Sequence, residues 1–287
     1  MRREQMQVKT QNRASGAHPQ KRTLVREFLR VNKQIPQRLF SHVCRYLVRI
    51  LLFPVCRVHL ASFSKLRPRG GLIVASNHIS HFDPPIVGAW YARYVDWMAM
   101  EELFRSRFSA ALMHGLCAFP VRRDGTDRRA IREALARLAI GRTVGLFPEG
   151  GIRAGPQSIL EGAPMWPGVC ALSILSGKPI VPCVILGSDR LYHPGNWLPF
   201  RRVSIWIGVG DPLFPEETSR QAHRREALQE QLSEAFVNLK NRLQEHYHLG
   251  PCDLPATPQA RKREGHLPMS THRCEARRAE HLKTGQE

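Results

Sequence analysis

The side chains most capable of chemistry are concentrated in one stretch, Ser76-Asn77-His78-Ile79-Ser80-His81-Phe82-Asp83-Pro84-Pro85. Neutral imidazole suits the removal of a proton from a hydroxyl near neutral pH. A carboxylate on the other ring nitrogen fixes the tautomer and stabilises the imidazolium that forms. Asp83 can do this for His78 if the histidine sits in a turn and the aspartate at the start of a helix. On a straight helix their separation turns through about 500°, which does not align the two side chains. Plainer readings are open for the same residues. Asp83 followed by Pro84 has the form of a helix N-cap with proline in the first turn, and His78 could be a hydrogen-bonded loop histidine. Ligation of a metal by His78, His81 and Asp83 finds no second His or carboxylate cluster to complete a site.

Three further clusters carry polar groups at the ends of apolar runs. Phe119-Pro120-Val121-Arg122-Arg123-Asp124 ends a run in two arginines, and guanidinium groups grip phosphate in bidentate fashion. An ordinary solvated turn reads equally well there. Leu146-Phe147-Pro148-Glu149-Gly150-Gly151-Ile152-Arg153-Ala154-Gly155 ends a run in a glycine-rich loop, where backbone N–H groups can approach a ligand closely. It is not a P-loop, because no Gly-Lys-Ser/Thr follows. Pro179-Ile180-Val181-Pro182-Cys183-Val184-Ile185 is an apolar run with an internal proline, the mark of an edge or a bulge, or a wall for an apolar chain.

Positioning these clusters requires a sheet. Leu72 to Ser76, Tyr94 to Met100, Cys117 to Val121, Thr143 to Phe147, Ile180 to Leu186 and Val203 to Val209 read as strands. Glu101 to Met113, Thr126 to Ile140 and Pro167 to Ser176 read as helices between them. Thr218 to Tyr247 reads as a long helix with a stripe of Leu228, Leu232, Phe236, Leu239 and Leu243, and Thr218 with Gln221 fits a capping box. The alternation predicts an α/β fold: a single mixed sheet flanked by helices, with an N-terminal amphipathic helical region and a long C-terminal helix. From Gln37 to Leu60 a basic stripe of Arg38, His42, Arg45 and Arg49 opposes Leu39, Val43, Leu47 and Ile50. Such a helix lies in a membrane interface, or packs its apolar face on the core with its arginines in water. The expected organisation is a flexible basic arm over 1–36, the amphipathic helical region over 37–65, the main domain over 66–250, and a disordered basic tail over 251–287.

With 287 residues and seven cysteines, none in a C-x-x-C pair, the chain can build its core without disulfides and is expected to keep its thiols reduced and idle. The formal net charge of +19 implies an anionic partner. No basic block is interleaved with aromatics, and no zinc-finger or RRM signature occurs, so a membrane surface is favoured over nucleic acid. No run reaches the roughly 18 apolar residues of a spanning helix, and the polar N-terminus lacks the pattern of a signal peptide.

In their order the four clusters resemble the glycerolipid acyltransferase family that includes the lysophosphatidate acyltransferases. That family shows N-H-x4-D, a strand ending in arginine, F-P-E-G-T-R-S, and a V-P strand. Asn77, His78 and Asp83 match the first motif, Arg123 or alternatively Arg122 the second, Phe147 to Gly150 the third, and Val181 with Pro182 the fourth. The likeness spans roughly residues 70 to 210. It departs where Gly151-Ile152-Arg153 replaces T-R-S and displaces the arginine by one position. The resemblance implies that His78, oriented by Asp83, deprotonates the free hydroxyl of lysophosphatidate for attack on an acyl-CoA or acyl carrier protein thioester, giving phosphatidate. Arg122, Arg123, Glu149 and Arg153 would hold the glycerophosphate, with Gly150 and Gly151 as backbone donors. It implies no metal or organic cofactor, and a protein held peripherally or monotopically on the cytoplasmic side of a membrane with anionic lipids. Nucleic acid is not an expected partner. Glycerol-3-phosphate or another lysophospholipid is the alternative acceptor, and a non-catalytic basic membrane-binding protein the alternative from another class.

Overall fold

The computed structural model describes residues 35–122, 125, 127–198, 202–216 and 221–263. Its centre is a seven-stranded sheet: β1 (Cys56–Ser62), β2 (Leu72–Ser76), β3 (Val95–Met100), β4 (Phe119–Val121), β5 (Thr143–Leu146), β6 (Ile180–Leu186) and β7 (Val203–Val209). The spatial order is β1-β7-β6-β2-β5-β3-β4. Strands β2 to β6 run parallel, β7 is antiparallel to β6, and β1 is parallel to β7. The sheet is therefore mixed. The C-terminal ends of its five parallel strands share one rim, the usual place for a ligand crevice in an open α/β sheet.

The helices are α1 (Ile35–Leu52), α2 (Asp83–Trp90), α3 (Arg107–Gly115), α4 (Arg128–Ala139), α5 (Gly168–Ser176), α6 (Gln221–Tyr247) and α7 (Pro258–Arg263). Strands β2 and β6 are buried along their whole length, which is why they read as unbroken apolar runs. On one face they meet Ala134 and Leu138 of α4, Val169 and Leu172 of α5, and Leu232, Phe236 and Leu243 of α6. On the other they meet Ile86 and Val87 of α2 and Leu52 of α1. Each of the larger of these side chains contributes on the order of 1.5–3 kcal/mol by leaving water.

Most of the expected elements form, several with the expected bounds, but three expectations about them need correction. The helical region expected over 37–65 ends at Leu52; Pro54 bars its extension, and Cys56–Ser62 becomes an edge strand on β7. The helix expected from Glu101 to Met113 is a short turn, Glu101–Phe104, followed by α3. The break lies at Ser106, whose hydroxyl accepts from the Ser109 N–H and starts a new helix. Helix α4 is capped by Asp127, which accepts from the N–H groups of Arg129 and Ala130. The tail expected to be disordered from 251 is ordered as far as Arg263. It forms a turn at Pro251–Asp253 and then α7, pinned by Arg261 to Asp189 at 2.6 Å and by Asp253 to Arg190 at 2.9 Å. Residues 1–34 and 264–287, which hold most of the expected arm and tail, and Thr218 of the capping box lie outside the described residues.

The orientation of α1 follows neither simple packing rule. The Nε groups of Arg45 and Arg49 donate to the Ala89 carbonyl at 2.8 and 2.9 Å, and Arg45 also donates to the Tyr91 carbonyl. These are carbonyls at the C-terminus of α2, where cations are favoured. The opposite stripe, with Leu39, Val43, Tyr46, Leu47, Ile50 and Leu51, is exposed. For Arg45 and Arg49 the reading in which the arginines face water is thereby overturned: they face the protein, His42 is exposed, and the apolar stripe faces out.

Candidate active site

Helix α2 begins at Asp83, and the turn before it brings His78 back onto that residue. The Asp83 N–H donates to the Ser80 carbonyl at 3.0 Å, and the Phe82 N–H to the Ser80 hydroxyl at 3.2 Å. Phe82, rather than Asp83, is the N-cap residue, and the helix start carries no side-chain cap. The Asp83 carboxylate turns back along the chain instead. Its Oδ2 accepts from the N–H groups of Ile79 at 2.7 Å and Ser80 at 2.8 Å, and lies 2.9 Å from His78 Nδ1. Its Oδ1 accepts from the Ser188 hydroxyl at 2.5 Å. Asp83 is fully buried. A carboxylate ringed by donors accepts only, so Nδ1 of His78 carries the proton and Nε2 carries the lone pair.

The imidazole is held at Nδ1 and on one face. Its ring stacks on Phe147 with centroids 4.2 Å apart, and Phe147 stacks on Trp97 at 4.7 Å. The His78 N–H donates to Glu149 Oε2 at 2.5 Å, while the His78 carbonyl accepts from the Arg153 N–H at 2.8 Å. The neighbouring Asn77, fully buried, imitates a strand pair: its amide donates to the Ile185 carbonyl and accepts from the Ile185 N–H at 2.9 and 2.8 Å. The His78 side chain keeps 16% of its surface exposed. The arrangement provides an oriented imidazole, partly exposed, at the rim of the sheet.

Glu149 does not reach toward a ligand. It is 5% exposed, and its Oε1 accepts from the Ser158 hydroxyl at 2.8 Å and the Ile159 N–H at 3.0 Å. With Oε2 on His78, both oxygens serve the protein, which corrects the expectation that this carboxylate holds the glycerophosphate. Burial pushes its pKa up, against the pull of the three hydrogen bonds. Gly150 is likewise occupied. Its N–H donates to the Phe147 carbonyl at 3.1 Å, its φ is +66°, and the Trp166 ring lies where a Cβ would be. Its expected part as a donor to substrate is therefore replaced by closing a turn. Gly151 borders open space. The Arg122 side chain, just past β4, is exposed, its backbone N–H donating to Asp127 at 3.1 Å. The Arg153 side chain is exposed as well. Arg123 lies outside the described residues. His81 points to Tyr192, with Nδ1 and the phenol oxygen 2.6 Å apart, and among the described residues no group of His, Cys, Asp and Glu is placed to hold a metal ion.

The sequence reading missed Ser188, Ser158 and the Phe147–Trp97 stack. Ser188 left one trace: it follows β6 by two residues, on the rim that also carries His78 and Glu149.

A family model described as Acyltransferase matches residues 57–186. Over that segment, less than half of its length, the chain is similar to the acyltransferase family. It is 24% identical over 203 residues to the 1-acyl-sn-glycerol-3-phosphate acyltransferase of Bacillus subtilis (strain 168), an alignment covering 70% of this chain and 96% of that protein. The crystal structure of the 1-acyl-sn-glycerophosphate acyltransferase PlsC from Thermotoga maritima shares the fold, with a TM-score of 0.54 at 21% identity, over 77% of this chain and 86% of that one. The matched segment runs from β1 to the last residue of β6 and contains the His78–Asp83 pair, Arg122, Glu149 and Arg153. Ser188 and the ordered segment 251–263 lie beyond it.

Proposed function

We propose that this O-acyltransferase moves a fatty acyl group from acyl-CoA or an acyl carrier protein thioester to the free hydroxyl of lysophosphatidate, giving phosphatidate. The observation that carries the reading is the partly exposed His78 ring held by its Nδ1 on buried Asp83 at the rim. The acceptor follows the activity named for the Bacillus subtilis relative. Nε2 takes the hydroxyl proton as the oxygen attacks the thioester carbonyl carbon. Asp83 stabilises the imidazolium so formed. The tetrahedral adduct collapses, the C–S bond breaks, and the imidazolium returns the proton to the departing thiolate. A positioned base of this kind supplies on the order of 10² to 10⁴ in rate. The thioester is already activated, so no cofactor enters. Arg122, Arg123 and Arg153 are the groups available to the acceptor's phosphate, with Gly151 beside them.

The exposed stripe of α1 supports placing this chemistry at a membrane with anionic lipids, on its cytoplasmic side. No described helix is long and apolar enough to cross a bilayer, so the contact would be peripheral or monotopic. The displaced Arg153, exposed and one position away from its place in the family motif, favours a second reading with a different acceptor, glycerol-3-phosphate or another lysophospholipid. Initial rates of thiol release from acyl-CoA, measured against lysophosphatidate, lysophosphatidylcholine and glycerol-3-phosphate, separate the two. Lysophosphatidate is expected to be the best acceptor, and His78→Ala to abolish turnover. Equal rates on acceptors without a terminal phosphate monoester would overturn the phosphate grip, and full activity of His78→Ala the assignment of the base.

A further inference from the structure

Resting on the assignment of His78 and Asp83 as base and orienting acid, we propose that Ser188 is a positioning residue for this pair and that the C-terminal segment 251–263 is the buttress that holds Ser188 in place. Asp83 has two oxygens. One is shared by His78, Ile79 and Ser80; the other accepts from Ser188 alone, at 2.5 Å. The Ile79 and Ser80 contacts come from the same turn as Asp83 and move with it. Ser188 comes from the far side of the crevice, 105 positions along the chain, and ties the carboxylate to the end of β6. It is fully buried.

The short turn carrying Ser188, Ser188–Tyr192, is held from behind by two buried ion pairs. Asp189 accepts from Arg261 Nε at 2.6 Å and from the Ala256 N–H at 3.0 Å. Arg190 donates to Asp253 Oδ1 and to the Cys252 carbonyl, both at 2.9 Å. All four partners belong to 251–263. Residues adjacent in sequence to Ser188 are thus fixed by charge-assisted bonds inside a low-dielectric interior, where such bonds are strong and directional. That segment lies outside the matched family region, 57–186.

The test is a steady-state comparison of Ser188→Ala, Ser188→Thr and Arg261→Ala in the full chain. Ser188→Ala should lower kcat roughly 10-fold at unchanged KM, the order expected on losing one hydrogen bond to a charged group. Ser188→Thr keeps the hydroxyl and should recover most of that loss. In an Asp83→Asn background the Ser188→Ala effect should shrink well below 10-fold, because the charge it positions is gone and only a weaker neutral hydrogen bond remains. Arg261→Ala should lower kcat as well, and should add little once Ser188 is already alanine. A Ser188→Ala enzyme with wild-type kcat would overturn the positioning role. So would a loss that persists in full without the Asp83 charge. Arg261→Ala and Ser188→Ala effects that multiply independently would overturn the buttress. Full activity of His78→Ala is a separate result and would fault the underlying mechanism instead.

Discussion

Asp83→Asn separates electrostatic support of the base from mere architecture. The carboxylate accepts four hydrogen bonds: from His78, Ile79 and Ser80 on Oδ2, and from Ser188 on Oδ1. Asparagine offers one oxygen and one NH₂. With its oxygen in the Oδ2 place, it still accepts from His78 and both backbone N–H groups. Its NH₂ then faces Ser188, whose hydroxyl can rotate and accept. The flipped amide would leave two buried N–H groups unpaired, at about 1–3 kcal/mol each, and is disfavoured. The variant therefore keeps the turn and the ring orientation and loses only the negative charge beside the imidazolium. Stability should change by roughly 1 kcal/mol, a shift of about 2–4 °C in Tm for a domain of this size. Removing the countercharge should lower kcat/KM by about 10² to 10⁴, or roughly 3–5 kcal/mol of transition-state stabilisation. Asp83→Ala should differ in kind: it strands the Ile79 and Ser80 N–H groups and should also destabilise the fold. The assay is thiol release from acyl-CoA, with thermal unfolding on the same preparations. An Asp83→Asn enzyme that unfolds normally and keeps kcat/KM within a few-fold of wild type would refute the reasoning. A large fall in Tm with activity following the folded fraction would show that Asp83 is structural alone.

Other perturbations address separate parts of the site. Glu149→Gln must set an NH₂ against either the His78 N–H or the Ile159 N–H, both of which now donate to carboxylate. It should lower kcat about 10-fold or more and destabilise the fold by roughly 1–3 kcal/mol. Burial raises the Glu149 pKa above its ordinary 4.5. The stability linked to it is thus greatest below that value and falls as pH rises through the raised one, a slope that unfolding at several pH values should find absent in Glu149→Gln. Arg153→Ala, which keeps the backbone N–H on His78, should raise KM for a phosphate-bearing acceptor several-fold with little change in kcat. Gly150→Ala meets both a positive φ and the Trp166 ring, 2.7 Å from the new Cβ, and should cost at least 1 kcal/mol in thermal unfolding. Leu47→Glu with Ile50→Glu should move the protein off anionic vesicles in a flotation assay with its fold intact; unchanged flotation would remove α1 as the lipid contact.

The fold was largely legible because its central strands are buried on both faces. Runs such as Leu72–Ser76 and Ile180–Leu186 stand out from flanking glycine and proline whatever their neighbours do. Strand β1 was not legible: it follows a helix after only three residues, and its partner Val203 is remote in sequence. The His78–Asp83 pair was suggested by spacing and residue type, yet the contact depends on the Ser80–Asp83 turn, which spacing does not dictate. The inward turn of Glu149 was hidden because its partners, Ser158 and Ile159, lie in a loop without periodicity. The helical wheel separated the two stripes of α1 but could not orient them, since the arginines' partners are bare carbonyls at the end of another helix.

That orientation ties the proposed lipid contact to the chemistry. Helix α2 is eight residues long, about 12 Å. Its first residue is Asp83, and the carbonyls at its far end receive Arg45 and Arg49 of α1. A charge-assisted hydrogen bond of this kind contributes about 1.5–3 kcal/mol, so the docking of α1 by its arginine side is strong enough to hold. It leaves seven large apolar side chains of α1 largely in water, each forgoing much of the roughly 1.5–3 kcal/mol that full burial would supply. A helix meant only to cover the core would turn the other way. The observed arrangement satisfies both stripes only if an apolar phase covers the outer one. The Asp83 carboxylate would then lie one short helix away from that phase.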